Sequence, residues 1–324
     1  MSSTIQPSVT IVSPALAEAN NGNWHTAARW AQMLRRQCST TVAAAWDGTP
    51  CDLLVALHAR RSAASIDAFA RAHPTRPLIV VLTGTDLYRD IETDPQAQRS
   101  LQQASTLVVM QDQGPARLSS AMRGKAVIIY PSARRLRPAP PPRDVLRVVC
   151  VGHLREEKSP ATFMRAARHL RERADIHFSH IGAALDDTLA QAARRAQAEC
   201  SHYRWLGDLP RAATRQHIRR AHLLVSTSLM EGGAQVIAEA VQSGTAVLAS
   251  RIDGHVGALG SAHPGFFKVG DDAALAELIA RARDEPGWLA ELRLRTVERA
   301  DHFEPREEQQ RLRTLIHACL GETP

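Results

Sequence analysis

Short runs of apolar residues recur along the chain, and most of them precede a stretch with apolar residues at helical spacing. Strands buried on both faces of a parallel sheet read as continuous apolar runs, so this alternation predicts an α/β fold with doubly wound parallel sheets. In the first part of the chain, we predict strands at residues 9–13, 41–46, 52–58, 78–84, 106–110 and 126–130.

A basic, proline-rich segment at residues 131–144 interrupts this pattern. Proline favours neither helix nor sheet interiors, so we expect a semi-rigid linker here. The alternation then restarts, with strands predicted at residues 146–152, 176–182, 203–210, 222–226, 246–250 and 265–270. We therefore predict two domains, residues 1–140 and 145–302, followed by a last amphipathic helix within 303–324, whose apolar stripe needs a partner.

The stretch from Ser226 to Ser250 carries the most specific chemistry. A strand end is followed by Glu231, Gly232 and Gly233, then by a helix that bears Glu239 beside its apolar face, toward the flank. Glycines let a backbone approach a ligand, helix N-termini attract phosphate, and carboxylates suit sugar hydroxyls. The combination predicts a nucleotide sugar as ligand. The alternative is a plain Gly-Gly turn with solvated acids, but the loop follows a strand, where α/β sheets bind ligands.

Polar residues also follow strands in the first domain. Gly22 and Asn23, a predicted helix N-cap, precede His25 and Thr26 in a first helical turn. The segments 58–61 and 83–86 follow two further strands, and Asp86 favours a site over a plain turn. No G-x-G-x-x-G fingerprint accompanies the first strand, which disfavours a dinucleotide-dependent dehydrogenase.

The composition restricts the class of ligand and the cellular compartment that we expect. The 324 residues carry a net charge of +7, and nearly all of the basic residues are arginine. Arginine suits carboxylate and phosphate groups, and no nucleic-acid-binding motif is present, so a small acidic substrate is expected in place of a nucleic acid. The five cysteines are an odd number without a Cys-x-x-Cys pair, so we expect reduced thiols and no zinc site. No signal peptide or membrane-spanning run is evident, and we expect a cytoplasmic protein without membrane insertion.

The second domain resembles the C-terminal domain of family-four glycosyltransferases. The resemblance rests on VGHLREEKSP, LGDLP, the 222–250 stretch and the IDGHVG loop, in order and spacing. It implies the GT-B architecture, in which two Rossmann-like domains with parallel sheets face each other across a cleft. It also implies that Glu231 contacts sugar hydroxyls, the backbone of Gly232, Gly233 and Ala234 contacts phosphate, Glu239 holds the ribose, and Lys158 binds the diphosphate.

One position departs from the family pattern. His153 occupies the place of a usual arginine, and Arg155 follows two residues later. Either Arg155 supplies the missing charge, or stabilisation of the diphosphate is weaker or pH-dependent. By the same resemblance, Gly22 belongs to a glycine loop that faces the donor, and the last helix packs back on the first domain.

The motifs NGNWHTAARWA, LTGTDLYRD and GHLREEKSP resemble a narrower branch, the selenosugar synthases of selenoneine biosynthesis. This implies transfer of N-acetylglucosamine from its UDP derivative to selenophosphate, with no cofactor and no metal. We expect His25, Lys158 and Glu231 to be catalytic. The expected acceptor-binding residues are Asn23, Thr26, Thr85 and Asp86.

Three rival functions remain open at this point. The first is an ordinary glycosyltransferase that makes an O-glycoside on a small or cell-envelope acceptor. The second is a non-catalytic binder of nucleotide sugars or nucleic acid, which the paired glutamates and Lys158 disfavour. The third is a UDP-sugar epimerase, for which no further carboxylates are placed. The sequence does not fix the oligomeric state.

Overall fold

The computed structural model describes residues 6–16, 22–139 and 142–321. The chain divides into two units. The first unit consists of Met1–Pro131 together with Pro305–Pro324, and the second of Ser132–Glu304. The unit boundary therefore falls at the start of the proline-rich segment, and the chain returns to the first unit at Pro305.

The first unit is built on a six-stranded, fully parallel sheet in the order β2-β1-β3-β4-β5-β6. Its strands are β1 (Ser8–Val12), β2 (Ser39–Ala43), β3 (Leu53–Leu57), β4 (Leu78–Val81), β5 (Thr106–Val109) and β6 (Ala126–Ile128). The connecting helices are α1 (Gly22–Leu34), α2 (Ala63–Ala72), α3 (Ile91–Thr93), α4 (Pro95–Gln103) and α5 (Ser120–Arg123). Short π and 3₁₀ turns occupy Asp86–Asp90 and Gly114–Arg117. The parallel sheet confirms the prediction from the apolar runs.

The second unit repeats this architecture, with a parallel sheet in the order β12-β11-β10-β7-β8-β9. The strands are β7 (Leu146–Val151), β8 (Ile176–Ile181), β9 (Tyr203–Trp205), β10 (Leu223–Ser226), β11 (Ala246–Ser250) and β12 (Phe266–Phe267). The helices are α6 (Pro160–His169), α7 (Asp187–Glu199), α8 (Arg211–Arg220), α9 (Gln235–Val241), α10 (Asp253–Leu259), α11 (Asp272–Asp284) and α12 (Pro286–Val297). 3₁₀ turns occupy Glu156–Lys158 and Ala300–Phe303.

Two local predictions are wrong. Residues 252–260 were expected to form a loop, but Asp253–Leu259 is the helix α10. Asn23 was expected to cap α1, but the helix already includes Gly22, so Asn23 lies within its first turn. The predicted loop that precedes Gly22 lies mostly at residues 17–21, outside the described residues.

Several strands are shorter than their apolar runs. The second predicted strand ends at Ala43 because the chain turns and Trp46 leaves the sheet. The Trp46 indole packs edge-on against Phe69, with 5.4 Å between ring centroids, and its Nε1 donates to Thr49 O at 2.9 Å. An apolar run therefore overestimates a strand when its last members pack elsewhere.

The proline-rich segment forms neither helix nor strand in its described part, residues 131–139. It is bonded along the second unit. Leu136 N donates to Gln242 O at 2.9 Å, and an Arg215 nitrogen donates to Arg134 O at 2.7 Å. These bonds make the segment part of the second unit.

The last helix, α13 (Pro305–Leu320), belongs to the first unit and packs against α1. Leu312, Leu315 and Ile316 enter the apolar cluster beneath α1. Glu308 is buried beside them. Its carboxylate accepts from Arg29 Nε at 2.8 Å, from a terminal Arg29 nitrogen at 3.0 Å, and from Trp30 Nε1 at 2.8 Å. A buried acid thus joins the end of the chain to its first helix.

We expect Glu308→Ala to lower the free energy of unfolding of the first unit by about 3 kcal/mol, because it leaves a mostly buried arginine and a buried indole N–H without their carboxylate. The adjacent Glu307→Ala removes only a half-exposed pair with Arg311 and should cost less than about 1 kcal/mol. Urea unfolding followed by tryptophan fluorescence measures both. Equal losses for the two variants would contradict this account.

Candidate active site

Two loops of the second unit meet because β7 and β10 are parallel neighbours, with Leu223 in register with Val148. Their carboxyl ends lie at the same edge of the sheet, where α/β folds bind ligands. Thr227 Oγ1 donates to Lys158 O at 2.8 Å, and Leu229 N donates to Glu157 O at 2.8 Å. The loop after β7 is thereby fixed against the loop after β10.

Lys158 and Glu231 form an ion pair between these loops. The Lys158 Nζ donates to Glu231 Oε1, and Ser228 Oγ donates to the same oxygen at 2.7 Å. The side chains are 22% and 12% exposed, so both reach the surface of the site without being fully solvated. The structure therefore brings together the two residues that the sequence assigned to the sugar and to the diphosphate.

The electrostatics keep Glu231 ionised. Burial alone would raise the pKa of the Glu231 carboxyl, but the Lys158 ammonium outweighs it, with further help from the Ser228 hydrogen bond. The net effect lowers the pKa below its ordinary value of 4.5. Near neutral pH, this carboxylate is an acceptor for hydroxyl groups.

A buried hydrogen-bond network supports the Glu231 turn. His255, from α10, donates from Nδ1 to Ser250 O at 2.7 Å and accepts at Nε2 from Ser226 Oγ at 3.0 Å. Ser250 Oγ in turn donates to Ser228 O at 2.6 Å. Burial lowers the pKa of His255 to about 4, so the ring is neutral at physiological pH. We did not anticipate His255 from the sequence, since its segment was expected to be a loop.

The turn between Glu231 and α9 holds the three predicted phosphate-binding amides. Ala234 adopts a left-handed conformation, with φ of 32°, immediately before α9 begins at Gln235. A non-glycine residue in this region stores strain, a feature typical of binding sites. Gly254 packs against the other side of the turn, where a Cβ atom would lie 2.1 Å from Glu231 O. Only glycine allows α10 to approach the turn this closely.

Glu239 is more buried than its position on the helix suggested. The sequence placed it off the apolar face, toward the flank, but it is only 4% exposed. Its Oε1 accepts from Arg211 at 3.1 and 3.3 Å, and Arg215 lies nearby on the same helix, α8. This burial follows from the packing of α9 beside α8, and no sequence signal indicated Arg211.

His153 and Arg155 differ in how they are held. His153 Nδ1 accepts from Ala183 N at 3.1 Å, which orients the ring. The Nε of Arg155 is buried and has no hydrogen-bond partner among the described residues. A buried guanidinium N–H without a partner is costly, and an anionic ligand would satisfy it. Both residues lie on the loop that follows β7, and the two alternatives for the missing charge stay predictions.

In the first unit, the predicted residues fall into two groups. Gly22, Asn23 and His25 are at least partly exposed in the first turn of α1, but Thr26 is buried, which argues against direct contact with a ligand. Thr85 is partly exposed at the carboxyl end of β4.

Asp86 is fully buried, and its carboxylate accepts from the backbone N–H groups of Ala59, Thr83 and Gly84 at 2.8–2.9 Å. The carboxylate thus accepts hydrogen bonds from the backbone of two loops and holds them together. The expectation that Asp86 binds the acceptor is therefore replaced by a structural role.

Two parallel-sheet, Rossmann-like domains are the fold of the GT-B glycosyltransferases. The fold is similar to that of sucrose-phosphate synthase from Thermosynechococcus elongatus (TM-score 0.79, 16% identity, 98% of this chain and 100% of that chain covered). It is also similar to Anabaena HepE in complex with UDP and glucose (0.75, 15%, 97% and 100%) and to the pneumococcal O-GlcNAc transferase GtfA in complex with UDP and GlcNAc (0.68, 17%, 83% and 57%).

The chain belongs to the glycosyl transferases group 1 family, whose model matches residues 135–303, just over half of the chain. The predicted fold class and family are thereby confirmed. No curated protein sequence matches the chain. Within the described residues, no helix combines the length and apolar character needed to cross a membrane.

We expect Gly254→Ala to displace the Glu231 turn, because the new Cβ would overlap the Glu231 carbonyl oxygen. Overpacking of this kind costs about 1–3 kcal/mol, and glycosyl transfer should fall in parallel. Gly287→Ala is the matched control, since no atom lies within 4 Å of its Cβ position. Thermal unfolding and turnover measure both. Unchanged turnover in Gly254→Ala would show that the turn is not part of the site.

The pKa of His255 predicts a contribution to acid unfolding. The folded-state pKa of about 4 lies below the ordinary 6.5, so the unfolded chain binds the proton first as pH falls. Stability should decrease from pH 6.5 toward pH 4, by about 3 kcal/mol for this group. In His255→Asn that part of the decrease should disappear, whereas the exposed control His177→Asn should keep it. Identical pH profiles in both variants would contradict the prediction.

Proposed function

We propose that the protein transfers N-acetylglucosamine from UDP-N-acetylglucosamine to selenophosphate and forms a carbon–selenium bond. The observation that carries the donor part is the Lys158–Glu231 pair at the carboxyl edge of the second sheet, beside the Ala234 turn. The presence of UDP in the HepE and GtfA structures supports the nucleotide, and GlcNAc in the latter supports the sugar. The first-unit motifs support the selenophosphate acceptor.

In this proposal the second unit binds the donor. Lys158 and Arg155 take the diphosphate, together with the backbone amides of Gly232, Gly233 and Ala234, and His153 lies at the same loop. Glu231 then exchanges its lysine for sugar hydroxyls. Glu239, which is paired with Arg211, takes the ribose hydroxyls. Each buried carboxylate is thus already paired with a cation before the ligand arrives.

During the proposed reaction, negative charge develops on the leaving diphosphate, next to the cations and amides assigned to it. The selenium electron pair forms the new bond to the anomeric carbon, and the C–O bond breaks with its electron pair leaving on UDP. Negative charge develops on the diphosphate, so Lys158, Arg155 and the amides stabilise the transition state without a metal. Water then cleaves the selenium–phosphorus bond and releases phosphate and the selenosugar.

The first unit supplies the acceptor side. Gly22, Asn23 and His25 lie in the partly exposed first turn of α1, and Thr85 follows the end of β4. Selenophosphate is already nucleophilic at selenium, so His25 would orient the acceptor and need not act as a strong base.

An O-glycosyl transfer is the second candidate, favoured by the fold similarity to sucrose-phosphate synthase and an O-GlcNAc transferase. That reaction needs a base for the acceptor hydroxyl, and His25 is the histidine that α1 carries. The two functions are distinguished by whether UDP is released with selenophosphate or with a hydroxyl acceptor.

The direct test incubates the full chain with UDP-N-acetylglucosamine and either selenophosphate or sugar hydroxyl acceptors. We expect UDP release and a selenium isotope pattern in the sugar product by mass spectrometry, unaffected by EDTA. Release with hydroxyl acceptors alone would replace the first function by the second, and no release with any acceptor would contradict both.

At the residue level, Lys158→Met should lower kcat at least 100-fold, because loss of one charge-stabilising donor costs about 3 kcal/mol in the transition state. Lys268→Met, at an exposed site of the same unit, is the control and should retain full turnover. Wild-type turnover in Lys158→Met would remove Lys158 from the site.

A further inference from the structure

The turn that follows β3 is held in an unusual conformation. His58, directly after Leu57, has φ of 71° and is almost fully buried. A non-glycine residue in the left-handed region costs of order 1–3 kcal/mol and persists only when its surroundings hold it. The sequence singled out this segment, residues 58–61, but the donor chemistry gives it no role.

The hydrogen bonds of His58 determine its tautomer. Nδ1 accepts from Arg61 N at 3.3 Å, so the proton of the neutral ring is on Nε2, which donates to Thr85 Oγ1 at 2.9 Å. Burial is the main cause that lowers the pKa of His58 and keeps the ring neutral. Since Thr85 Oγ1 already accepts this proton, the hydroxyl hydrogen of Thr85 is directed to another acceptor, and the side chain is partly exposed.

An arginine, Arg60, and the His58–Thr85 pair approach the same acid, Asp90. Asp90 Oδ2 lies 2.9 Å from Arg60 Nε and 3.9 Å from His58 Nε2, so Arg60 and the His58–Thr85 pair meet at one carboxylate. Arg60 is 39% exposed, and its two terminal nitrogens make no hydrogen bond to any described residue. Asp86, the other nearby acid, is occupied by three backbone N–H groups.

These contacts leave the Thr85 hydroxyl and the terminal nitrogens of the Asp90-paired Arg60 as donors near the carboxyl ends of β3 and β4. A hydroxyl and an arginine fork together match a tetrahedral oxyanion. The two strands are parallel neighbours, and their shared edge is the usual ligand position in such sheets.

We propose that Thr85 and Arg60 form a subsite for a phosphate-type oxyanion on the acceptor, with His58 as the residue that positions the Thr85 hydroxyl. The assignment to the acceptor rests on the proposed function, whereas the oxyanion site itself stands on the first unit alone. It replaces Asp86 by Arg60 as the charged residue at this edge.

Direct binding tests the subsite without turnover. Inorganic phosphate is titrated by calorimetry into the full chain in the presence of saturating UDP, which occupies the diphosphate position of the second unit. We expect Thr85→Val and Arg60→Gln each to weaken phosphate binding about tenfold or more. Thr85→Ser, which keeps the hydroxyl, should bind as the wild type does. Arg71→Gln is the control, since Arg71 is exposed on α2 and pairs with Asp67. Acetate should bind much more weakly than phosphate.

Equal phosphate affinity in the wild type and in folded Thr85→Val and Arg60→Gln would overturn the subsite, as would a preference for acetate. Turnover then separates the two proposals. If selenophosphate is the acceptor and these variants leave its KM unchanged, the subsite fails and the proposed function stands. If phosphate binding depends on Thr85 and Arg60 but only uncharged hydroxyl acceptors react, the subsite stands and the proposed function fails. With both correct, the acceptor KM rises about tenfold and the donor KM is unchanged.

Discussion

The ion pair between Lys158 and Glu231 is the interaction on which the candidate site depends. Neither residue could be held in its place alone, since a largely buried charge without a partner is expensive. The pair exists because parallel pairing of β7 and β10 brings their carboxyl ends together, and because Thr227 and Leu229 bond the backbone of the 157–158 turn. A ligand with both phosphates and hydroxyls can replace each partner, so the site is assembled before it is filled.

Other buried carboxylates are paired in the same way. Glu239 pairs with Arg211, Glu308 pairs with Arg29, and Asp86 accepts hydrogen bonds from three backbone N–H groups. This pairing explains part of the arginine-rich composition, because guanidinium groups can pair with carboxylates while covering apolar neighbours. It also limits which acids are available to ligands. Asp86 and Glu308 serve the fold, and Glu231 and Glu239 lie in the loop and helix of the candidate site.

The architecture could be predicted from the sequence because strands and helices are encoded by local patterns of apolar residues. Apolar runs and helical spacing located both parallel sheets, and β11 was placed at its observed bounds, Ala246–Ser250. Strand ends were less accurate where a residue such as Trp46 packs away from the sheet. The family resemblance assigned Lys158 and Glu231 to one site, and they lie close together because their loops follow strands that the fold makes neighbours.

What the sequence missed depends on contacts between distant residues. Arg211 is 28 positions from Glu239, and nothing in either segment indicates that they meet. The burial of Asp86 depends on the backbone of Ala59 at the end of another strand, so a polar residue after a strand was misinterpreted as a ligand contact. His255 supports the Glu231 turn only because residues 253–259 form a helix. A short segment with two glycines does not carry a sequence pattern that predicts a helix.

A crystal structure of the chain with UDP tests the central claim most directly. The account predicts the diphosphate on the amides of Gly232–Ala234, with the Lys158 ammonium on a phosphate oxygen and no longer on Glu231, and the ribose within hydrogen-bond distance of Glu239. Nucleotide bound elsewhere, or an intact Lys158–Glu231 pair beside bound UDP, would contradict it.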